Sequence, residues 1–175
     1  MNLYLLRHGI AVDTGTPGFA KDEDRPLTPK GKRRVRQIAG AMMKLELSFD
    51  LILSSPYVRA RQTAEIVAPI LGSRKKLGFT DALTPGGNPK SLIEDLLERP
   101  SPPENVLLVG HEPYLSRLIS LLLSGNLDLP VTLKKGGLCK LTAGSLRFGS
   151  CASLDWLLTP KQMACVAGTG RAGAS

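Results

Sequence analysis

Three short apolar runs in this chain, Leu3 to Leu6, Leu51 to Leu53 and Val106 to Val109, each end at polar residues and give way to a helix-patterned stretch. Runs of this length, apolar throughout rather than alternating, read as strands buried on both faces. A chain that alternates strand and helix returns each strand to the same sheet by a crossover, and such crossovers make neighbouring strands parallel. The expected fold is α/β, a three-layer α/β/α sandwich around a mainly parallel central sheet.

The helices announce their starts with a residue suited to capping or to the first turn, followed by proline. Thr28-Pro29 opens one that carries Val35, Ile38, Ala39, Met42 and Leu45 at helical spacing. Ser55-Pro56 predicts a second, running to Leu71 and closed by Gly72; Asn88-Pro89 predicts a third, stopped by Pro100. Glu112-Pro113 predicts a fourth, to Ser124, and Leu138 to Thr142 with Ser153 to Leu158 read as an antiparallel edge pair. These elements assign residues 1–160 to one domain. The Ala/Gly-rich remainder, 161–175, is expected to be a flexible tail.

No apolar stretch among the 175 residues approaches the roughly 20 that a membrane span needs, so no membrane partner is expected. The start lacks the basic leader of a signal peptide, and the cysteines Cys139, Cys151 and Cys165 form no CxxC pair. The expected location is cytoplasmic, with no metal and no other cofactor. A net charge of +8 suits nucleic acid or an anionic substrate, but aromatic residues at 5% leave few base-stacking platforms. The cluster Lys30, Lys32, Arg33, Arg34 and Arg36 lies mostly off the apolar stripe of its helix and reads as a solvated face.

In parallel sheets, ligands bind beyond the carboxyl ends of the strands. Here the first strand ends at Arg7-His8-Gly9, the second at Ser54-Ser55-Pro56 with Arg59 just beyond, and the third at Gly110-His111. Both histidines of the chain are thus expected at one edge of the sheet, with Arg7 and Arg59 beside them. Arginine forks and a helix N-terminus favour an anion with several oxygens, most simply a phosphoryl group, and a neutral imidazole is a competent nucleophile toward it. Positive charge around His8 should depress its pKa and keep the ring neutral near pH 7. Arg61 points elsewhere on the helix and is expected to take a salt bridge.

Leu6-Arg7-His8-Gly9, Ser54-Ser55-Pro56-Tyr57-Val58-Arg59-Ala60-Arg61-Gln62-Thr63-Ala64 and Val109-Gly110-His111-Glu112-Pro113 together resemble the histidine phosphatase, or phosphoglycerate-mutase-like, superfamily. Arg25-Pro26-Leu27-Thr28 and Leu83-Thr84-Pro85 resemble its SixA-type phosphohistidine phosphatase branch, and the likeness spans residues 2 to 160. The resemblance implies a phosphoglycerate mutase-like fold and a metal-independent phosphatase in which His8 is phosphorylated. It implies a phosphate pocket made by Arg7, Arg25, Arg59 and His111. The implied partner is a phosphorylated protein, such as a histidine-phosphotransfer domain, or a small phosphorylated substrate. A metabolite phosphomonoesterase or mutase is the alternative on the same fold, and a non-catalytic phosphate- or nucleic-acid-binding module the alternative of another class. One position departs from the pattern. SixA-like chains often carry Glu immediately before Leu-Thr-Pro, whereas this chain has Ala82, with Asp81 one residue earlier. The absence of that acid favours a leaving group that needs no enzyme proton, which points to phosphohistidine on a protein.

Overall fold

Strand alternation explains the layering seen in the computed structural model, which describes residues 1–168. Successive residues of a strand point to opposite faces, so a strand apolar at every position feeds two cores. In β1 (Asn2–Arg7), Leu3 and Leu5 join one core while Tyr4 and Leu6 join the other. In β4 (Asn105–Gly110), Val106 and Leu108 divide from Leu107 and Val109 in the same way.

The sheet has six strands in the order β3-β2-β4-β1-β5-β6, with β2 at Leu51–Ser54, β3 at Leu77–Phe79, β5 at Leu138–Ala143 and β6 at Ala152–Leu158. The first four in that order are parallel; β5 runs antiparallel to β1, and β6 antiparallel to β5. One face is covered by α3 (Pro89–Leu97) and α4 (Tyr114–Ser124). The other carries α1 (Pro29–Lys44), α2 (Val58–Ile70) and α5 (Pro160–Val166). The expected three-layer α/β/α sandwich with a mainly parallel sheet is the observed fold.

Thr28 caps α1 as expected, its hydroxyl accepting from Gly31 N at 3.0 Å. Gly31 is required there: a Cβ would lie 2.0 Å from the carbonyl oxygen of Ile10. Gly125, at φ 82°, closes α4 in the left-handed conformation.

Two expectations need correction. Ser55 does not cap α2; the helix begins at Val58, and Ser55 is used elsewhere. The tail expected from residue 161 does not begin there either. Thr159 and Gln162 form a reciprocal capping box for α5, and Met163 is fully buried in the core shared with α1 and α2. Residues 169–175 of that expected tail lie outside the described residues. Among the described residues, no helix is long and apolar enough to cross a membrane.

Candidate active site

The register of the sheet brings the sequence-predicted residues together. Arg7 pairs with Gly110 across β1 and β4, so His8 and His111, each one step beyond its strand, emerge side by side. Their ring centroids are 5.0 Å apart. Backbone bonds lock both ends: His8 N donates to Gly110 O at 3.0 Å, and Ser55 N to Val109 O at 3.0 Å. On the other side, Arg7 N donates to Gly137 O at 3.1 Å and Gly136 N to Arg7 O at 3.0 Å.

His8 is buried, and its hydrogen bonds define its tautomer. Nδ1 lies 2.7 Å from the carbonyl oxygen of Gly9, which can only accept, so Nδ1 carries the proton. Arg59 Nε donates to Nε2 at 3.3 Å, so Nε2 presents its lone pair. Burial pushes the His8 pKa down to about 3; the bond to Gly9 opposes this, and Arg59, Arg7 and Lys135 push further down. The direction matches the sequence expectation, but desolvation outweighs the surrounding charge. His111 is pushed down to about 2, by burial first and then by His8 and Arg59.

His111 is positioned by a residue the sequence reading assigned to a helix cap. Its Nε2 lies 2.9 Å from Ser55 Oγ, while its Nδ1 is buried with no hydrogen-bond partner among the described residues. Tyr57 packs edge-on against the ring at 5.2 Å. Thr63 secures the strand end from α2: its hydroxyl accepts from Gly9 N at 3.1 Å and donates to Arg59 O at 2.7 Å.

A cavity of about 350 Å³ opens between these groups, lined by Arg7, His8, Arg25, Arg59 and His111, with Asp22, Glu112 and Lys135 among its walls. Arg7 Nη1 donates to Leu133 O at 2.9 Å, and its buried Nε has no partner among the described residues. Arg59 is buried, and Asp22 holds it doubly, through Nη1 to Asp22 O at 2.6 Å and Nη2 to Asp22 Oδ2 at 2.7 Å. Arg25 Nε donates to the other carboxylate oxygen of Asp22 at 2.9 Å. These arginines hold the Asp22 carboxyl below the usual carboxylate range despite the opposing effect of burial. The pocket thus gathers every predicted site residue, together with Asp22, an acidic residue outside that set.

The remaining candidates fall outside it. Arg61 pairs with Glu65 at 2.8 Å on the exposed side of α2, as expected. Asp81 is exposed and lines a separate cleft with Thr80, Thr84 and Asn88, not the cavity at His8. Glu112, adjacent to His111 in sequence, does reach the cavity; its Oε2 accepts from Ser116 Oγ, and its Oε1 is buried without a partner among the described residues. Its only sequence signal was its place beside a candidate histidine.

Comparison with known proteins gives the same family. Residues 3–84 match the family model described as histidine phosphatase superfamily, branch 1. The chain is 33% identical over 130 residues to the phosphohistidine phosphatase SixA homolog of Haemophilus influenzae, covering 69% of this chain and 76% of that protein. It is 26% identical over 163 residues to the phosphohistidine phosphatase SixA of Escherichia coli, covering 91% and 94%. Its fold superimposes with a TM-score of 0.75 on the protein histidine phosphatase SixA solved in complex with tungstate, at 24% identity and covering 91% of this chain and 97% of that one.

Proposed function

The chain belongs to the histidine phosphatase superfamily, and from that membership we propose that it removes the phosphoryl group from phosphohistidine on a protein, through a covalent intermediate on His8. The observation that carries the reading is the state of His8. Its Nδ1 proton is committed to Gly9, and its Nε2 lone pair, which Arg59 Nε must release for attack, lies at a cavity walled by three arginines and a second histidine.

In the first step the lone pair of His8 Nε2 forms a bond to phosphorus as the bond from phosphorus to the substrate nitrogen breaks in line. The departing imidazole keeps the electron pair on that nitrogen and already bears a proton on the other, so it leaves neutral with no enzyme acid. In the second step water attacks phosphorus, the P–Nε2 bond breaks with its electron pair returning to Nε2, and both protons of the water leave on the product, dihydrogen phosphate. Arg7, Arg25, Arg59 and His111 Nδ1 stabilise the equatorial oxygens, which is where phosphoryl-transfer enzymes gain most of their rate. Asp22 must give up its hold on Arg59 and Arg25 for those groups to serve the phosphoryl oxygens.

The leaving-group chemistry supports phosphohistidine over an alkyl phosphate. Ala82 stands where SixA-like chains often carry Glu, Asp81 lines another cleft, and the arginines hold the Asp22 carboxyl below the usual carboxylate range. Glu112 Oε1 favours a second reading, a phosphomonoesterase for small metabolites, because a carboxyl at the cavity wall could protonate an alkoxide. Specificity constants for a phosphohistidine protein, phosphoserine and sugar phosphates test the choice, alongside His8→Ala. The proposal expects phosphohistidine to lead and His8→Ala to be inactive on all substrates. Equal turnover of an alkyl phosphate overturns the substrate, and activity surviving in His8→Ala overturns the covalent mechanism.

A further inference from the structure

A second cleft, of about 780 Å³, adjoins the His8 cavity and shares Arg7 and Lys135 with it. Arg34 of α1, Lys134 before β5 and Lys161 of α5 also line it, and no Asp or Glu does. All three of these cations are exposed, and among the described residues none of them forms an ion pair. Other cations among the described residues are unpaired too; what sets these apart is that they meet along one cleft that no carboxylate lines. Arg34 belongs to the basic cluster that the sequence pattern assigns to a merely solvated face.

We propose that this cleft binds an acidic segment of the phosphoprotein, next to the phosphorylated histidine held over His8; the inference rests on the proposed function and specifies its substrate. Continuity through Arg7 and Lys135 places the cleft where chain flanking a bound phosphohistidine would run. Arg34, Lys134 and Lys161 come from separate parts of the chain and are exposed, and the lining they share includes Ile10, Ile38 and Pro160. Lysine is a flexible point charge rather than a fixed fork, so such a rim suits charges spread along an extended chain better than one compact anion. The apolar lining suits the uncharged side chains that alternate with them. Unpaired positive charge also speeds encounter with an acidic partner.

The test uses two phosphohistidine peptides, one with Asp and Glu flanking the phosphorylated residue and one with Asn and Gln, together with free phosphohistidine. Each is assayed with the wild-type protein and with the double variant Arg34→Glu/Lys161→Glu. Wild type should prefer the acidic peptide by on the order of tenfold in kcat/KM, through KM and less so at high salt. The double variant should lose that preference while hydrolysing free phosphohistidine at the wild-type rate. Equal kcat/KM for the two peptides in wild type overturns the inference while leaving phosphohistidine hydrolysis standing. A small bisphosphate assayed in parallel gives a second check: a double variant impaired only on it overturns the inference and gives the cleft to a compact polyanion. An NMR titration with the unphosphorylated acidic peptide reads the cleft independently of turnover. Amide shifts confined to α1, α5 and Lys134 support the inference, and their absence overturns it even if no phosphohistidine substrate is hydrolysed.

Discussion

The Asp22 carboxylate accepts a hydrogen bond from the buried Arg59 guanidinium at 2.7 Å, so a cation suited to phosphate already carries an anion of the protein's own. On the proposed function, phosphate and Asp22 compete for the same donors. Asp22→Asn keeps the size and removes the charge. It should tighten inhibition by inorganic phosphate on the order of tenfold, equivalent to about 1.4 kcal/mol. A measured inhibition constant that stays level or rises would assign Asp22 to orienting Arg59 instead.

Arg59 and Arg61 lie two residues apart on α2 but face different surroundings. Arg59→Ala should lower kcat/KM by about 100- to 1,000-fold, the usual loss when an oriented charge is removed from a transition state. Arg61→Ala removes an exposed pair with Glu65 and should leave the rate nearly unchanged. Steady-state kinetics on both variants decide whether the register of this helix is read correctly.

His8 and His111 have depressed pKa values in the folded protein, about 3 and about 2, against 6.5 unfolded, so both are neutral at pH 7. Below about pH 6.5 the unfolded chain binds protons that the folded one refuses, so stability is complete above that value and falls progressively as the pH drops toward the folded values. Thermal melting should show Tm falling from about pH 6.5 downward, to an extent that the titration of carboxylates adds to only at lower pH. The rate profile should lack an acid limb near 6.5, because His8 stays unprotonated there. An NMR titration of the His8 ring with a midpoint near 6.5 would contradict both expectations.

Glu112→Gln separates the two substrate readings. If imidazole leaves without help, the variant should hydrolyse phosphohistidine within a few-fold of wild type. A drop of about 10²- to 10⁴-fold is the signature of a lost general acid. That outcome would move Glu112 into the chemistry and favour the metabolite phosphatase.

Met163 is fully buried although it lies in the stretch that composition marks as tail. Met163→Ala should destabilise the fold by about 2–5 kcal/mol, as large-to-small changes in packed cores do. Chemical denaturation measures it, and a negligible change would return α5 to the tail.

The sheet, its crossovers and the two histidines were legible because they rest on local patterns: apolar runs, proline-marked helix starts, polar strand ends. The same logic could have found α5, since Thr159-Pro160 followed by Gln162 repeats the signal of Thr28-Pro29; the Ala/Gly composition beyond it masked the pattern. Ser55 was misread because a serine before proline satisfies a helix start as well as a histidine, and only the register between β2 and β4 decides. Asp22 pairs locally with Arg25, three residues on, but its bond to Arg59 spans 37 residues and exists only once the loop folds over α2. The basic cleft was equally hidden, because its cations come from parts of the chain that share no sequence pattern.

Reversal of β5 relative to its neighbours has a consequence for how such a protein can change over generations. Leu138, the first residue of that strand, lies opposite Leu6 near the last residue of β1, so the lead-in to a backward-running strand arrives at the edge where the forward-running strands finish. Lys134 and Lys135 ride on that lead-in, while His8 and His111 ride on the finishing strands. On the proposed function, turnover and choice of partner are thereby written on separate segments, held together by the backbone bonds of Gly136 and Gly137 and by Arg7 reaching Leu133 O. On that same proposal, drift in the lead-in retunes which molecules are accepted without moving His8.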